Sequence, residues 1–327
     1  MLMKKLLFLL GCAVLISACK KNAEPDTPTG QNTKYPTTFK VADFTFNNIT
    51  IPTTGSNSVV PLQEVFTNLY FLIFDSNGKV ISRLEQQSNG TDSLFRITSN
   101  ARKLVTTKFT YGTITDSLVV GKYTLVAVGG RYRLMFNPDV YPAPGTDLFP
   151  ATDLLQTGIN FGEAGMTEST YVYKGEFQVR ESASEHRITL DRIGGLLEIK
   201  IEDAMPSNTY TIAANITTEF ANYNLGGSLP WKGGTGTSFI ADPIDWRGIA
   251  GFTMSKYMLN TVIPFEVELV AIQKGGNQIA RKKISPVFIE TNKKTILSGK
   301  LFDGMAASGF NVSIDKSWMP NTTVVKF

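Results

Sequence analysis

The sequence predicts an all-β chain: two tandem β-sandwich domains that follow a signal peptide and a flexible tether. Three observations predict it. Short runs rich in Phe, Tyr, Val, Ile and Thr alternate apolar and polar residues with period two, and turn residues break them at short spacing. No stretch among them carries a capped apolar stripe of helical period. Composition is that of a globular chain, with 42% hydrophobic, 11% aromatic and 18% charged residues among 327.

The chain opens with Lys4 and Lys5, followed by an apolar run from Leu6 to Ile16. That is the pattern of a signal peptide. The run is shorter than the roughly 20 residues that cross a bilayer, and it ends in Ser17 and Ala18 before Cys19. Ile16-Ser17-Ala18-Cys19 has the form of a lipobox. An aliphatic residue three places before the cysteine, with small residues directly before it, lets a signal peptidase fit the backbone beside a lipidated thioether. Cleavage between Ala18 and Cys19 would leave Cys19 as the acylated first residue of an exported lipoprotein. Leu9-Leu10-Gly11-Cys12 has the same form, but its apolar core, Leu6 to Leu10, is too short. Residues 1–18 are therefore read as signal peptide and 19–36 as lipidated tether, where Pro25, Pro28, Gly30 and Pro36 stand among polar residues.

Several function classes are excluded by count. Once Cys19 is acylated the mature chain has no other cysteine, so it has neither a disulfide nor a thiol nucleophile. The single histidine, His186, leaves a His-based triad one base and rules out zinc sites of Cys and His. The formal charge of +4 falls to about +2 when Lys4 and Lys5 leave, too small a field to draw nucleic acid by counterion release. Arg281-Lys282-Lys283 and Lys293-Lys294 are read as solvated strand faces. Asp75-Ser76-Asn77-Gly78 begins like a calcium loop, but Gln86 stands where the loop needs a glutamate, so it is read as a turn. The glycines of Gly226 to Gly236 lack the following Lys-Ser or Lys-Thr of a phosphate loop and are read as a surface loop. Nothing selects a catalytic pair among the 28 acids. Trp231, Trp246 and Trp318 could stack on sugars, though lone tryptophans in β-proteins are usually half-buried core. No catalytic, cofactor or metal residue is assigned.

Strands then follow in order. Phe39-Val41 and Phe44-Phe46 open the series, and Leu69 to Phe74 is a continuous apolar run, as a strand buried on both faces would be. Asp75-Ser76-Asn77-Gly78 turns that run into Lys79-Val80-Ile81 as a hairpin. Leu118 to Val120 and Tyr123-Leu125-Ala127 continue it, and a short helix is expected in Asp153 to Gly165. A second series runs from Ile188-Leu190 through Leu196-Leu197-Ile199-Ile201 and Phe265-Val267-Leu269-Ala271 to Phe310-Val312-Ile314. Glu181-Ser182-Ala183-Ser184-Glu185 breaks the pattern between the two series. The expected domains are therefore 37–183 and 184–327, with many short strands arguing for sandwiches over a parallel α/β sheet.

A resemblance gathers these residues. The lipobox, the tethered first strand, Asn68-Leu69-Tyr70-Phe71-Leu72-Ile73-Phe74-Asp75 with its glycine turn, and Gly121-Lys122-Tyr123-Thr124-Leu125-Val126-Ala127-Val128 resemble the fimbrillin superfamily of surface pili. FimB-like and Mfa-like anchor members are the nearest in pattern. His186-Arg187-Ile188-Thr189-Leu190 with Arg192-Ile193-Gly194-Gly195, and Gly309-Phe310-Asn311-Val312-Ser313-Ile314 with Trp318, fit it as well. The resemblance implies transthyretin-like sandwiches, an outer-membrane anchor, other fimbrial subunits as partners, and assembly by strand donation. An extended segment from a neighbour would fill the groove of a sandwich that lacks a strand. In polymerising members an arginine-specific protease removes the first strand. Here no arginine lies between Cys19 and Arg83, which favours an anchor or other non-processed subunit unless Lys34 or Lys40 is cut instead.

The segments in which exchange would occur are the first strand, Thr38 to Ile51, with Phe39, Val41, Phe44 and Phe46 and a bulge or kink at Ala42-Asp43, and the last, Asn321 to Phe327, with Val324, Val325 and Phe327. The last segment could pair within its own sandwich or reach into a neighbour. The alternative function is a surface glycan-binding lipoprotein, which would need coplanar exposed aromatics.

Overall fold

The computed structural model describes residues 33–42, 44–46, 59–88, 90–98, 102–137, 154, 157–161, 168–226, 235–303, 310–315 and 320–321. It is all-β. The chain runs through β1 (Lys34–Val41), β2 (Phe44–Phe46), β3 (Val59–Val60), a short helix α1 (Leu62–Val65), β4 (Asn68–Asp75) and β5 (Val80–Ser88). Next come β6 (Asp92–Ile97), β7 (Arg102–Thr106), β8 (Thr113–Val119), β9 (Gly121–Gly130) and β10 (Met135–Asn137). β11 (Gly158–Asn160), β12 (Tyr171–Val179), β13 (Ser184–Ile188) and β14 (Asp191–Arg192) complete the first half. The second half holds β15 (Gly195–Ile201), β16 (Thr209–Glu219), β17 (Asn222–Asn224), β18 (Thr235–Ala241) and β19 (Phe252–Met258). It ends with β20 (Phe265–Gln273), β21 (Gln278–Val287), β22 (Lys294–Gly299), β23 (Asn311–Asp315) and β24 (Pro320–Asn321).

The hairpin expected after Leu69–Phe74 is present. β4 and β5 pair antiparallel, Asp75 Oδ1 accepts the amides of Asn77 and Lys79, and Gly78 takes a φ of 78°, which an L side chain rarely adopts. Within Asp153 to Gly165, where the sequence suggests a helix, Gly158–Asn160 is strand instead, paired with β10 and β17. β1 starts at Lys34, so the last three residues assigned to the tether belong to the first strand.

The first sandwich lays the sheet β13-β1-β8 over a seven-stranded sheet ordered β14-β12-β9-β4-β5-β6-β7. Phe39, Val41, Ile114, Leu118 and Ile188 from the small sheet meet Leu69, Phe71, Ile73, Leu84, Leu125 and Ala127 from the large one. β4 is apolar from Leu69 to Phe74 because both of its faces are covered. Its odd residues point into this core, and Tyr70, Leu72 and Phe74 point the other way, against Phe136, Ile159, Phe220, Leu225 and Leu259.

The second sandwich packs β19-β15-β22-β23 on β18-β16-β20-β21 around Leu197, Ile199, Ile212, Ala214, Ile216, Val267, Leu269 and Leu297. β15 alternates buried and less buried residues along its whole length, as period two requires. Each sandwich also holds a parallel pair that antiparallel patterning does not announce, β1 with β13 and β15 with β22.

The division at Ala183–Ser184 needs correction. Ser184 to Ile188 form β13, which pairs with β1, and Asp191–Arg192 pair with the start of β12. Both stretches therefore belong to the first sandwich, and the second opens at Gly195. The polar run Glu181 to Glu185 leads from β12 into β13, its last two residues opening that strand within the first sandwich. The halves also share a sheet, β10-β11-β17, in which β17 comes from the second half.

Candidate functional site

β1 is the segment on which assembly by strand exchange would turn, and its residues explain its place. Thr37, Phe39 and Val41 alternate with Thr38 and Lys40, so one face is buried and the other partly open. Phe39 is 1% exposed. Its ring meets Phe177 edge-on with centroids 4.8 Å apart and stacks on the His186 imidazole at 5.3 Å. His186 is thus a packing residue beside the first strand. The backbone of β1 is bonded along both edges, antiparallel to β8 from Lys34 to Lys40 and parallel to β13 from Thr37 to Val41. Side chains bind the three strands further: the Thr38 and Thr115 hydroxyls lie 2.8 Å apart, and Lys40 pairs with Glu185 at 2.6 Å. The pair with Lys40 holds the Glu185 carboxyl below its usual range.

The first strand expected from Thr38 to Ile51, with a bulge or kink at Ala42-Asp43, is two strands among the described residues. β1 ends at Val41, and Phe44 to Phe46 form β2 in a separate small sheet ordered β24-β2-β3. Pro320 and Asn321 pair there with Phe46 and Thr45. Asn321, the one described residue of the expected C-terminal segment, thus pairs with β2 and not with a strand of the second sandwich. Ala18, Cys19, Val324, Val325 and Phe327 lie outside the described residues.

Arg83, the first arginine after Cys19, is 7% exposed in β5, a strand flanked by β4 and β6. A protease that needs an extended loop finds none at this residue.

Among the described residues the two sheets of the second sandwich end at β18, β19, β21 and β23. β21 carries Arg281 and Lys283, which pair with Glu268 and Glu266, and Lys282, which pairs with Asp303 at 3.3 Å. The basic run is neutralised where it stands, by carboxylates of the neighbouring strand and loop. β19 carries Lys256 and β18 exposes one large apolar residue, Ile240. β23 differs. Val312 is 47% and Ile314 39% exposed, they alternate along a five-residue strand, and Asp315 at its end is its one charged residue. An apolar, nearly uncharged edge of this kind is a template for another strand. The sequence shows β23 as a strand. The exposure of its apolar residues depends on what fails to cover them.

The contacts of two further groups of residues escaped sequence reasoning because their partners are remote in the chain. Arg192 donates from Nη2 to the Tyr171 hydroxyl at 2.6 Å and from Nη1 to Asn292 Oδ1 at 3.2 Å, tying the end of the first sandwich to the β21–β22 connection. At Gly195 the backbone passes so close to that connection that an added Cβ would lie 2.5 Å from the Glu290 carbonyl oxygen. Glu219 is 3% exposed beside this junction, and its Oε1 accepts the Leu259 amide at 2.8 Å and the Asn260 amide at 3.3 Å. Burial pushes its carboxyl up to about 7.

Among the described residues no group of three His, Cys, Asp or Glu side chains is arranged to hold a metal ion. Trp231 and Trp318 lie outside the described residues. Trp246 sits on a single 3-10 turn, Ile244–Trp246, with Phe252 edge-on at 6.0 Å.

No protein-family model matches the chain, and no curated protein matches it. Among solved structures it is similar to a candidate polysaccharide-binding protein from Bacteroides thetaiotaomicron, at 13% identity and a TM-score of 0.49, covering 81% of this chain and 92% of that one. It is similar to a candidate adhesin from the same organism, at 12% identity and a TM-score of 0.49, covering 88% and 98%. It is also similar to the fimbrial anchor protein Mfa2 of Porphyromonas gingivalis, at 12% identity and a TM-score of 0.42, covering 86% and 96%.

Proposed function

We propose that the chain is a lipid-anchored, cell-surface fimbrial subunit of the non-processed, anchor kind, supporting adhesion and accepting a neighbouring subunit by strand pairing on its second sandwich. The observation that carries this is the position of β1, the middle strand of its sheet with both edges bonded. In the resembling pili a polymerising subunit loses its first strand. In this reading the chain keeps its first strand, a reading supported by the burial of its first arginine, and its first sandwich is closed to a donor. The strand available to another subunit is then β23, where a donated segment would satisfy the free backbone edge and cover Val312 and Ile314. A glycan-binding surface would need several coplanar aromatics, and the exposed aromatic rings among the described residues, Tyr132, Tyr210, Trp246 and Phe288, are the candidates for that second reading.

The test is a pull-down from cell envelopes. Wild-type protein is expected to bring fimbrial subunits with it. Val312→Lys together with Ile314→Lys, two changes on exposed positions, should leave the melting temperature within a few degrees and abolish the co-purification. Retained subunits in that double variant would remove β23 from the role, and an envelope preparation in which the wild type brings none would sink the fimbrial proposal.

The anchor has its own test. Acyl chains contribute about 0.8 kcal/mol per buried CH₂, so Cys19→Ala is expected to move the protein from the membrane fraction to the soluble one. Membrane retention of that variant with Cys12 intact would overturn the choice of Cys19.

A further inference from the structure

Glu219 stands at the end of β16, a strand whose even residues Ile212, Ala214 and Ile216 fill the second core. Continued regularly, that alternation would place Glu219 on the outer face with Asn215 and Thr217. The register against β18 slips instead, Ile216 facing Thr237 and Glu219 facing Thr235, so one extra residue turns the glutamate inward. There its carboxylate closes the β19–β20 connection from outside, through the amides of Leu259 and Asn260. Asn260, itself buried, completes the closure. Its Nδ2 donates to the Thr218 carbonyl at 3.0 Å, and its Oδ1 accepts the Ile263 amide at 3.0 Å. Leu259 and Phe220, the residues on either side of this clasp, pack into the apolar cluster that includes Tyr70, Leu72 and Phe74 of the first sandwich. The other carboxyl oxygen, Oε2, is buried with no hydrogen-bond partner.

We propose that Glu219 is a proton-operated clasp on the junction between the two sandwiches, holding Leu259 against the first sandwich when it carries a proton and loosening it when it does not. A buried oxygen without a donor is tolerable on a neutral carboxylic acid and costly on an anion. The ionisable groups on the elements around it are Lys256 and Tyr257 on β19, Tyr223 on β17, Tyr70 on β4, and Glu266 at the start of β20, which is itself paired with Lys283 at 2.9 Å. Of these, Lys256 is the cation that favours the carboxylate, and burial lowers the lysine's own proton affinity.

The sign follows from linkage. Burial raises the carboxyl from 4.5 to about 7, so between those values the closed junction holds a proton that an opened one releases. The clasp is tightest at and below about 4.5, weakens as pH rises to about 7, and changes little above that. The opening equilibrium should increase on the order of a hundredfold across this range. The device is independent of what the protein assembles with.

Amide hydrogen exchange on the full mature chain, corrected for the intrinsic rate at each pH, reads the opening directly in the peptide holding Leu259 to Ile263. Protection in wild type is expected to fall on the order of a hundredfold between pH 5 and pH 8. In Glu219→Gln it should stay flat. Lys256→Met, which removes the facing positive charge, should move the midpoint to higher pH, and it decides the matter by itself if the glutamine variant does not fold. A flat wild-type profile, an equal slope in Glu219→Gln, or an unmoved midpoint in Lys256→Met would each overturn the clasp.

Discussion

A mature chain truncated to begin at Ala42 is expected to lose cooperative folding. The truncation removes β1 from the centre of its sheet, so β8 and β13 each lose a hydrogen-bonded neighbour and are left unpaired on that side. It also removes Phe39 and Val41 from the first core. Burying one such side chain contributes roughly 1.5–3 kcal/mol, and a whole domain is stable by about 5–15 kcal/mol, so losing two side chains and two ladders consumes most of the margin. Phe39→Ala alone should cost about 3–5 kcal/mol, the usual range for a fully buried phenylalanine. Denaturant melts followed by circular dichroism measure both. A truncated chain that is soluble and melts like the full one would mean that β1 is dispensable, and the proposal of a closed first sandwich would go with it.

The second large effect concerns the fragment from Ser184 to Phe327, which the break at Glu181 to Glu185 marks as a separate folding unit. It is now expected to aggregate or to remain unfolded. Its first strand, β13, pairs with β1, which the fragment lacks. Phe220, Leu225 and Leu259 would lose the first-sandwich side chains that cover them, and β17 would lose β11. Exposing three large apolar residues together creates the kind of contiguous patch that drives association. Arg192 in the fragment would keep Asn292 and lose the Tyr171 hydroxyl, its shorter hydrogen bond. Size-exclusion chromatography and thermal melting decide it: a monomeric fragment melting within about 5 °C of the full chain, a shift of about 1.5 kcal/mol for this size, would show that the sandwiches are independent after all.

Much was legible in the sequence, and it was the part governed by local periodicity. Alternation along Phe39-Val41 and Leu196 to Ile201 indicates strands with one buried face, and the unbroken run Leu69 to Phe74 indicates a strand buried on two. Asp75-Ser76-Asn77-Gly78 carries its own turn chemistry, since an Asx side chain and a glycine suffice to close it. All-β class, two sandwiches and the hairpin follow from such short-range signals. So does the absence of an arginine before Arg83, which needs no structure to be read.

What tertiary structure decided is where pairing partners come from, because a period of two says which face of a strand is buried and nothing about what lies beside it. The parallel pairs β1–β13 and β15–β22 join residues far apart in the chain, so no local pattern announces them, and the domain boundary misplaced at Ser184 is a direct result. The bulge that turns Glu219 inward is equally silent, since one extra residue inverts the expected face and only the neighbouring strand reveals the slip. Val312 and Ile314 read as ordinary core positions by alternation. They become a candidate docking edge only because the sheet ends at β23 and nothing described covers them, an outcome set by the order of strands across the sheet and not by the residues of the strand itself.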